Sequence, residues 1–455
     1  MVGATTTGHY QSNNEREHND MKISDIRPEV FAMAERAEKR CQQRFREIDR
    51  VAEQNTLRVM AAFQDQRVSE ACFAGTTGYG YDDLGRETLD KLYAQIFGAE
   101  SALVRLGFVN GTHALTAAMF ALCAPGETVL AVTGAPYDTL RTAIGISGDA
   151  FGSLKFYGVN YAQVDLAPDG GPDYASIRAA AAEPKVHGVM IQRSRGYEDR
   201  KALTVQEIGE IVKAVRAVNL NANIMVDNCY GEFTDVLEPT HVGADIIAGS
   251  LIKNPGGGVA PTGGYVAGRK DLVERAAMRL TTPGIGGECG STLGNNRLLF
   301  QGLFLAPHTT AQALKTAVFC AAMMEELGLE SSPSVDEKRS DIIQMVKLGS
   351  PEKMKRFCLG IQAGAPVDSY VTPEPWQMPG YEEPVIMAAG AFVQGSSIEL
   401  SADGPMRGPY TIYMQGGLTY ESGKLKATGA YAHMEKRGSR YLRYALLNAA
   451  KCVCH

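Results

Sequence analysis

No stretch of this 455-residue chain stays apolar long enough to cross a bilayer: the longest, Ala114 to Val132, is interrupted by Pro125-Gly126-Glu127 and reads as helix, turn and buried strand. Basic runs are missing too. With 45 Lys+Arg against 51 Asp+Glu the formal net charge is −6, which leaves no electrostatic reason to expect nucleic acid or an anionic membrane as partner. Residues Met1 to Asp20 lack the apolar core of a secretion signal and are polar and mixed in charge. They are expected to form a disordered leader, and the protein is expected to be cytoplasmic. The nine cysteines show no paired framework, which fits reduced thiols. The tail Cys452-Val453-Cys454-His455 has no fourth tetrahedral ligand spaced nearby, so no metal site is expected. The chain has neither a Walker A sequence nor Gly-x-Gly-x-x-Gly after a strand, so nucleotide phosphates have no cradle of the usual kind.

What is present is 45% hydrophobic residues, enough to bury a substantial core in two to four domains by length. From Arg27 to Phe63 apolar residues recur at helical spacing, so residues 21–70 are expected to be a helical segment. Gly75-Thr76-Thr77-Gly78-Tyr79-Gly80-Tyr81 is too rich in glycine for a regular element and too aromatic for a plain linker. Beyond it helices (86–97, from 112, 137–144, 205–218) alternate with short apolar strands (102–106, 128–132, 186–191, 223–226, 245–248). That alternation predicts an α/β fold with a mainly parallel central sheet covered by helices. The large domain is expected to span 71–310. A helix from about Thr309 to Leu327 and the proline-divided segments after it predict a smaller α+β domain over 311–455.

The chemistry concentrates at Gly249-Ser250-Leu251-Ile252-Lys253-Asn254-Pro255-Gly256 and Val226-Asp227-Asn228-Cys229-Tyr230. A lysine that carries pyridoxal phosphate as an internal aldimine needs a hydroxyl for the phosphate and an upstream carboxylate to keep the pyridine nitrogen protonated. Ser250 and Asp227 supply those groups for Lys253. Either segment alone reads equally well as a surface lysine or a strand-end aspartate; together, in this order, they point to the cofactor. Asn110-Gly111-Thr112 precedes a helix whose free N–H groups and dipole suit a phosphate monoester. Tyr230 is placed to meet the cofactor's phenolic oxygen, and Tyr137 to stack on its ring, although a lone tyrosine is more often core or rim. Arg407 has the planar fork that suits a substrate α-carboxylate, with a surface ion pair as the alternative. Ser250-Leu251-Ile252-Lys253 also matches the Ser-x-x-Lys of penicillin-binding acylases, but their Ser-Asp-Asn and Lys-Thr-Gly partners are absent.

Over roughly Arg27 to Tyr420 the chain resembles the aluminium-resistance, or methionine γ-lyase-like, family of fold-type I pyridoxal-phosphate enzymes, relatives of the cystathionine lyases. The resemblance rests on Thr77-Gly78-Tyr79-Gly80-Tyr81-Asp82-Asp83, Pro136 to Leu140, Ile191 to Tyr197, Val226 to Phe233 and Gly249 to Gly264. It implies a homodimer or homotetramer with active sites at the subunit interface, where Tyr79 and Tyr81 would reach the neighbouring subunit's phosphate. Two segments depart from the family pattern: Asn110 stands where serine usually opens the phosphate loop, and Leu106-Gly107 where Pro-Gln is usual. Both bear on substrate choice.

The expected activity is elimination of a γ-, or secondarily a β-, substituent from a small amino acid. Lys253 would move protons and Tyr137 would protonate the leaving group. Gly107 in place of a glutamine-sized group suggests a compact or apolar leaving group, a small thiol or a halide, with cystathionine poorly used. Transamination, γ-elimination of halide from an unsaturated amino acid, and a non-catalytic cofactor carrier are the alternatives.

Overall fold

The computed structural model describes residues 26–148, 151–378 and 383–435. The leader expected at Met1 to Asp20 and the Cys452 to His455 tail lie outside them. Among the described residues no helix is long and apolar enough to cross a membrane, and no group of His, Cys, Asp and Glu could hold a metal ion.

The larger layer is a seven-stranded sheet built from β1 (Ser101–Arg105), β2 (Thr128–Ala131), β3 (Asn160–Gln163), β4 (Val186–Gln192), β5 (Asn223–Asp227), β6 (Ile246–Ser250) and β7 (Gly264–Gly268). Its order is β1-β7-β6-β5-β4-β2-β3, parallel from β3 to β6, with β7 antiparallel to both of its neighbours. The expectation of a mainly parallel sheet therefore holds. The reading missed β7, a five-residue strand bounded by glycines and preceded by a run of three more, where turn signals mask the apolar core Tyr265-Val266-Ala267. Helices α2 (Leu84–Ile96), α3 (Gly111–Leu122), α4 (Asp138–Ile144), α5 (Tyr174–Ala181), α6 (Val205–Arg216) and α7 (Lys270–Leu280) connect the strands. Local chemistry fixes several starts: Asp83 accepts the Arg86 N–H ahead of α2, and Thr204 and Glu207 form a reciprocal capping box on α6.

Within the segment expected to be helical at 21–70, the described residues form one helix, α1 (Pro28–Asp65). Its first half joins the core of the smaller sheet through Val30, Ala34, Ala37, Cys41 and Phe45, and its second half joins the larger core through Val59 and Ala62. The helix expected from Thr309 begins earlier. α8 (Asn296–Glu326) carries Pro307 inside it and runs unbroken through residue 310, where the sequence places a domain boundary. Proline is normally a helix breaker, which is why the earlier turns of α8 were not read as helix.

The smaller sheet contains β8 (Ser331–Ser332), β9 (Ile343–Lys347), β10 (Val385–Ala389), β11 (Ser401–Pro405) and β12 (Thr411–Gln415), all antiparallel in the order β10-β11-β12-β9-β8. Helices α9 (Pro351–Ala363), α10 (Ser397–Leu400) and α11 (Tyr420–Glu435) complete this part. Strand alternation divides it: Ala402, Ile412, Met414 and Val346 join the core with α1, α8, α9 and α11, whereas Ile343, Met345 and Tyr413 face Tyr197 and Tyr230 of the larger part.

Candidate active site

Strand period decides which side chains meet. On β5, Ile224 and Val226 enter one core while Met225 enters the core beneath α3; on β6, Ile247 enters the first, and Ile246 and Ala248 the second. Two residues further along each strand, Asp227 and Ser250 must face α3 as well. Because β5 and β6 are parallel with Asp227 opposite Ala248, both residues arrive at the carboxyl ends of neighbouring strands. The N-terminus of α3 meets them there, at the edge where open α/β sheets bind ligands.

Lys253 follows β6 by one turn. The turn is fixed from both sides: Asn254 Nδ2 donates to the Glu232 carbonyl at 3.0 Å, and a Cβ added at Gly302 of α8 would lie 2.4 Å from the Gly256 carbonyl oxygen, an approach only glycine permits. Lys253 Nζ stands 4.1 Å above the Tyr230 ring, and Ser397 Oγ donates to the Tyr230 hydroxyl at 3.2 Å. Asp227 is buried and accepts the Cys229 N–H at 3.1 Å. Burial pushes the Asp227 carboxyl up, and the Lys253 charge pulls it back. Burial works to lower the Lys253 ammonium, but Cys229, Tyr230, Asp227 and Glu232 reverse the sign and raise it. The carboxyl group thus sits where a positive counter-charge stabilises it, which suits a pyridinium nitrogen as well as an ammonium.

The phosphate end passes a stringent test. Ser250 Oγ is buried and has no hydrogen-bond partner among the described residues, a cost of about 1–3 kcal/mol for a hydroxyl unless a ligand satisfies it. Gly111, the first residue of α3, leaves the space in front of it open: an added Cβ would lie 3.1 Å from Ser250 Cβ and 3.9 Å from Cys229 Sγ. At such a helix start the early N–H groups have no intrahelical acceptor and the dipole favours an anion. The residues present therefore fit pyridoxal phosphate.

An open cleft of about 630 Å³ contains this centre, and Gly111, Thr112, Tyr137, Asp227, Tyr230 and Lys253 all line it. Of the other sequence candidates, Asn110 is the N-cap of α3, its Oδ1 accepting the His113 N–H at 2.9 Å, and it does not line the cleft. Arg407 lies beyond the end of β11 in an adjoining cleft, 3.4 Å from Glu383, with its side chain 55% exposed. The two clefts share Tyr137, Gln192 and Tyr197, so the cleft that Arg407 lines adjoins the one that Lys253 lines. Leu106 and Gly107 line a separate small cleft beside Arg86 and Thr292. The substrate reading built on those two positions therefore has no support in the Lys253 cleft. Tyr79 and Tyr81 are 70% and 58% exposed and stack with ring centroids 5.5 Å apart, away from Lys253 of their own chain.

The far wall comes from residues outside the sequence's site candidates. Asp403, Tyr413, Gln415 and Ile343 of the smaller sheet line the cleft, as does Tyr197 from the loop after β4. Alternation in Ser401-Ala402-Asp403 and Tyr413-Met414-Gln415 was the available signal, with the apolar residues turned to the core and the polar ones to the cleft.

The methionine gamma-lyase family profile matches residues 30–435. Among solved structures, the chain is similar to a carbon-sulfur lyase involved in aluminium resistance from Clostridium novyi NT. The two are 52% identical, with 90% of this chain and 97% of that one covered and a TM-score of 0.87. It is 50% identical to the protein YnbB of Bacillus subtilis (strain 168) over 376 residues, 82% of this chain and 89% of that protein. L-methionine gamma-lyase of Pseudomonas putida is 28% identical over 214 residues, 46% of this chain and 48% of that enzyme. With the cleft, the α/β architecture and a family match over nearly the whole described chain in agreement, this protein belongs to the methionine gamma-lyase family.

Proposed function

We propose that this protein is a pyridoxal-phosphate-dependent lyase that eliminates a γ-, or secondarily a β-, substituent from a small amino acid. The observation that carries the reading is the meeting of Lys253, Asp227 and the unsatisfied Ser250 hydroxyl at the start of α3. The 52% identity to a protein named a carbon-sulfur lyase supports sulfur as the leaving atom. Lys253 would hold the cofactor covalently, Ser250 and the α3 N-terminus its phosphate, and Asp227 its ring nitrogen. When bound, the cofactor supplies an electron sink for the carbanion formed at the substrate's Cα. The Lys253 amine takes the Cα proton, and the Tyr137 hydroxyl, on the cleft wall, delivers a proton to the departing group. A second copy of the chain completes the site, with the exposed Tyr79 and Tyr81 as its contribution.

Borohydride reduction of the purified protein followed by peptide mapping should place the trapped cofactor on Lys253. A panel of S-substituted amino acids should then release ammonia, a 2-oxo acid and a thiol. Asp227→Asn should lower kcat/KM by about 10²-fold or more while weakening cofactor binding far less, because a carboxylate and not an amide stabilises a pyridinium. Label on another lysine, or 2-oxo acid formed without loss of the substituent, rejects the reading.

A further inference from the structure

The far wall of the cleft holds a carboxylate for which the chemistry above has no use. Asp403 is buried on β11, faces the cleft that Lys253 enters, and is clamped from two sides. The Tyr197 hydroxyl donates to Oδ2, and Gln415 Nε2 donates to Oδ1 at 2.7 Å. The clamp is itself braced: the Tyr413 hydroxyl donates to the Tyr197 carbonyl at 2.8 Å, and Gln415 Nε2 also reaches Ser401 Oγ at 2.8 Å. Two donors leave part of a carboxylate's four lone-pair directions open, and the open side is the cleft. The side chains that hold it, Tyr197 and Gln415, bring no positive charge, and a ligand cation would offset the cost of burying the carboxylate.

We propose that Asp403 is a specificity-determining residue that selects substrates whose leaving group ends in an ammonium or another strong hydrogen-bond donor. This rests on the lyase reading and replaces the compact apolar leaving group expected from positions 106 and 107. Burial pushes the Asp403 carboxyl up to about 6, with the Tyr197 and Gln415 hydrogen bonds opposing that rise. Tyr230 in the cleft and Cys358 on α9 feel its charge and are driven upward by burial, so both are neutral around pH 6 to 8, while Lys253 and Asp227 line the same cleft as charged neighbours. Asp403 is therefore ionised at neutral pH and neutral in mild acid, and the selection follows its charge.

The test compares S-(2-aminoethyl)-L-cysteine with S-propyl-L-cysteine, which has the same number of heavy atoms, for β-elimination, and the corresponding two homocysteine derivatives for γ-elimination, on the holoenzyme. We expect kcat/KM to favour the aminoethyl compound at least about tenfold at pH 7.5, the size expected when a buried polar group is left unpaired by the wrong substrate. The ratio should fall toward one below about pH 6 and in Asp403→Asn. L-lysine and 2-aminoheptanoate, the sulfur-free counterparts that cannot eliminate, should show the same preference in equilibrium affinity, read from the bound cofactor's absorbance. This binding comparison needs no variant, so a misfolded Asp403→Asn does not remove the test. Equal kcat/KM and equal affinity for the two pairs would overturn the assignment while leaving the lyase reading standing. Failure to eliminate from any S-substituted amino acid would overturn both, and borohydride trapping on Lys253 tells whether the cofactor site or only the reaction was misread.

Discussion

Lys253 Nζ lies 4.1 Å from the centroid of the Tyr230 ring, and Tyr230 holds that ring in place from a left-handed backbone, φ 70°. A non-glycine residue in that region costs on the order of 1–3 kcal/mol and persists where its surroundings over-determine it. Here the ring face meets a cation and the hydroxyl meets Ser397. Tyr230→Phe keeps the ring and loses one hydrogen bond, so it should lower unfolding free energy by about 1 kcal/mol. Tyr230→Val loses the ring and puts a β-branched side chain at positive φ, so its loss should exceed about 2 kcal/mol. Urea denaturation of the two variants checks this, and equal losses would show that the ring face contributes nothing.

Ser250 and Gly111 should separate cofactor affinity from fold stability. Ser250→Ala removes a buried hydroxyl that has no partner among the described residues, so the cofactor-free variant should be as stable as the parent or more stable by about 1 kcal/mol. Its pyridoxal-phosphate Kd should nevertheless rise about tenfold. Gly111→Ala places a methyl group 3.1 Å from Ser250 Cβ and should weaken the cofactor at least as much. Thermal melts and cofactor titrations of the apo-proteins give both readouts; loss of stability without loss of affinity in Ser250→Ala would remove it from the phosphate site.

Glu232 gives a pH signature. Its carboxyl group is buried and accepts the Tyr265 hydroxyl at 2.9 Å; burial pushes its pKa up to about 8, against opposing hydrogen bonds and the Lys253 charge. The native state then keeps a proton that the unfolded chain releases near 4.5, so the unfolded state binds fewer protons between those values and stability falls as pH rises through that window. Each unit is worth about 1.4 kcal/mol. Glu232→Gln carries no such proton, so its denaturation midpoint should change less between pH 5 and pH 8 than the parent's. Parallel midpoint curves would be inconsistent with a protonated native Glu232.

The loop bearing Tyr79 and Tyr81 is braced against the chain that carries it. Arg86 donates to the Gly290 carbonyl at 3.1 Å and to Gly80, the Gly290 N–H donates to the Tyr79 carbonyl at 2.9 Å, and Asp83 accepts Thr292 Oγ1 at 2.7 Å. These bonds hold the two stacked, exposed tyrosines in one orientation, as the proposed contribution to a second copy's site requires. Mixing Lys253→Ala subunits with Tyr79→Phe/Tyr81→Phe subunits should restore activity to roughly a quarter of the parent level, because one of the two sites in half of the oligomers regains both parts. No recovery despite subunit exchange shown by mass spectrometry would place these tyrosines outside the partner's site.

The linear pattern was enough to determine the helix and strand alternation and the mainly parallel sheet, and to pick out Lys253, Asp227 and Ser250 as candidates for one site. Strand period and turn chemistry act within a few residues, so each segment can be read by itself, although Asp227 and Lys253 are 26 positions apart. Gly111 and Thr112 were legible for the same reason, as the start of a helix after a strand. Tertiary structure alone decided that Arg407 lines a cleft beside that of Lys253 and pairs with Glu383, and that β7 enters the sheet antiparallel. It also brought Asp403 and Gln415 across from the smaller sheet, about 150 residues from Lys253 in sequence, to form the far wall. Long-range packing sets which face of a distant strand meets the lysine, and that face carries the clamped Asp403 carboxylate.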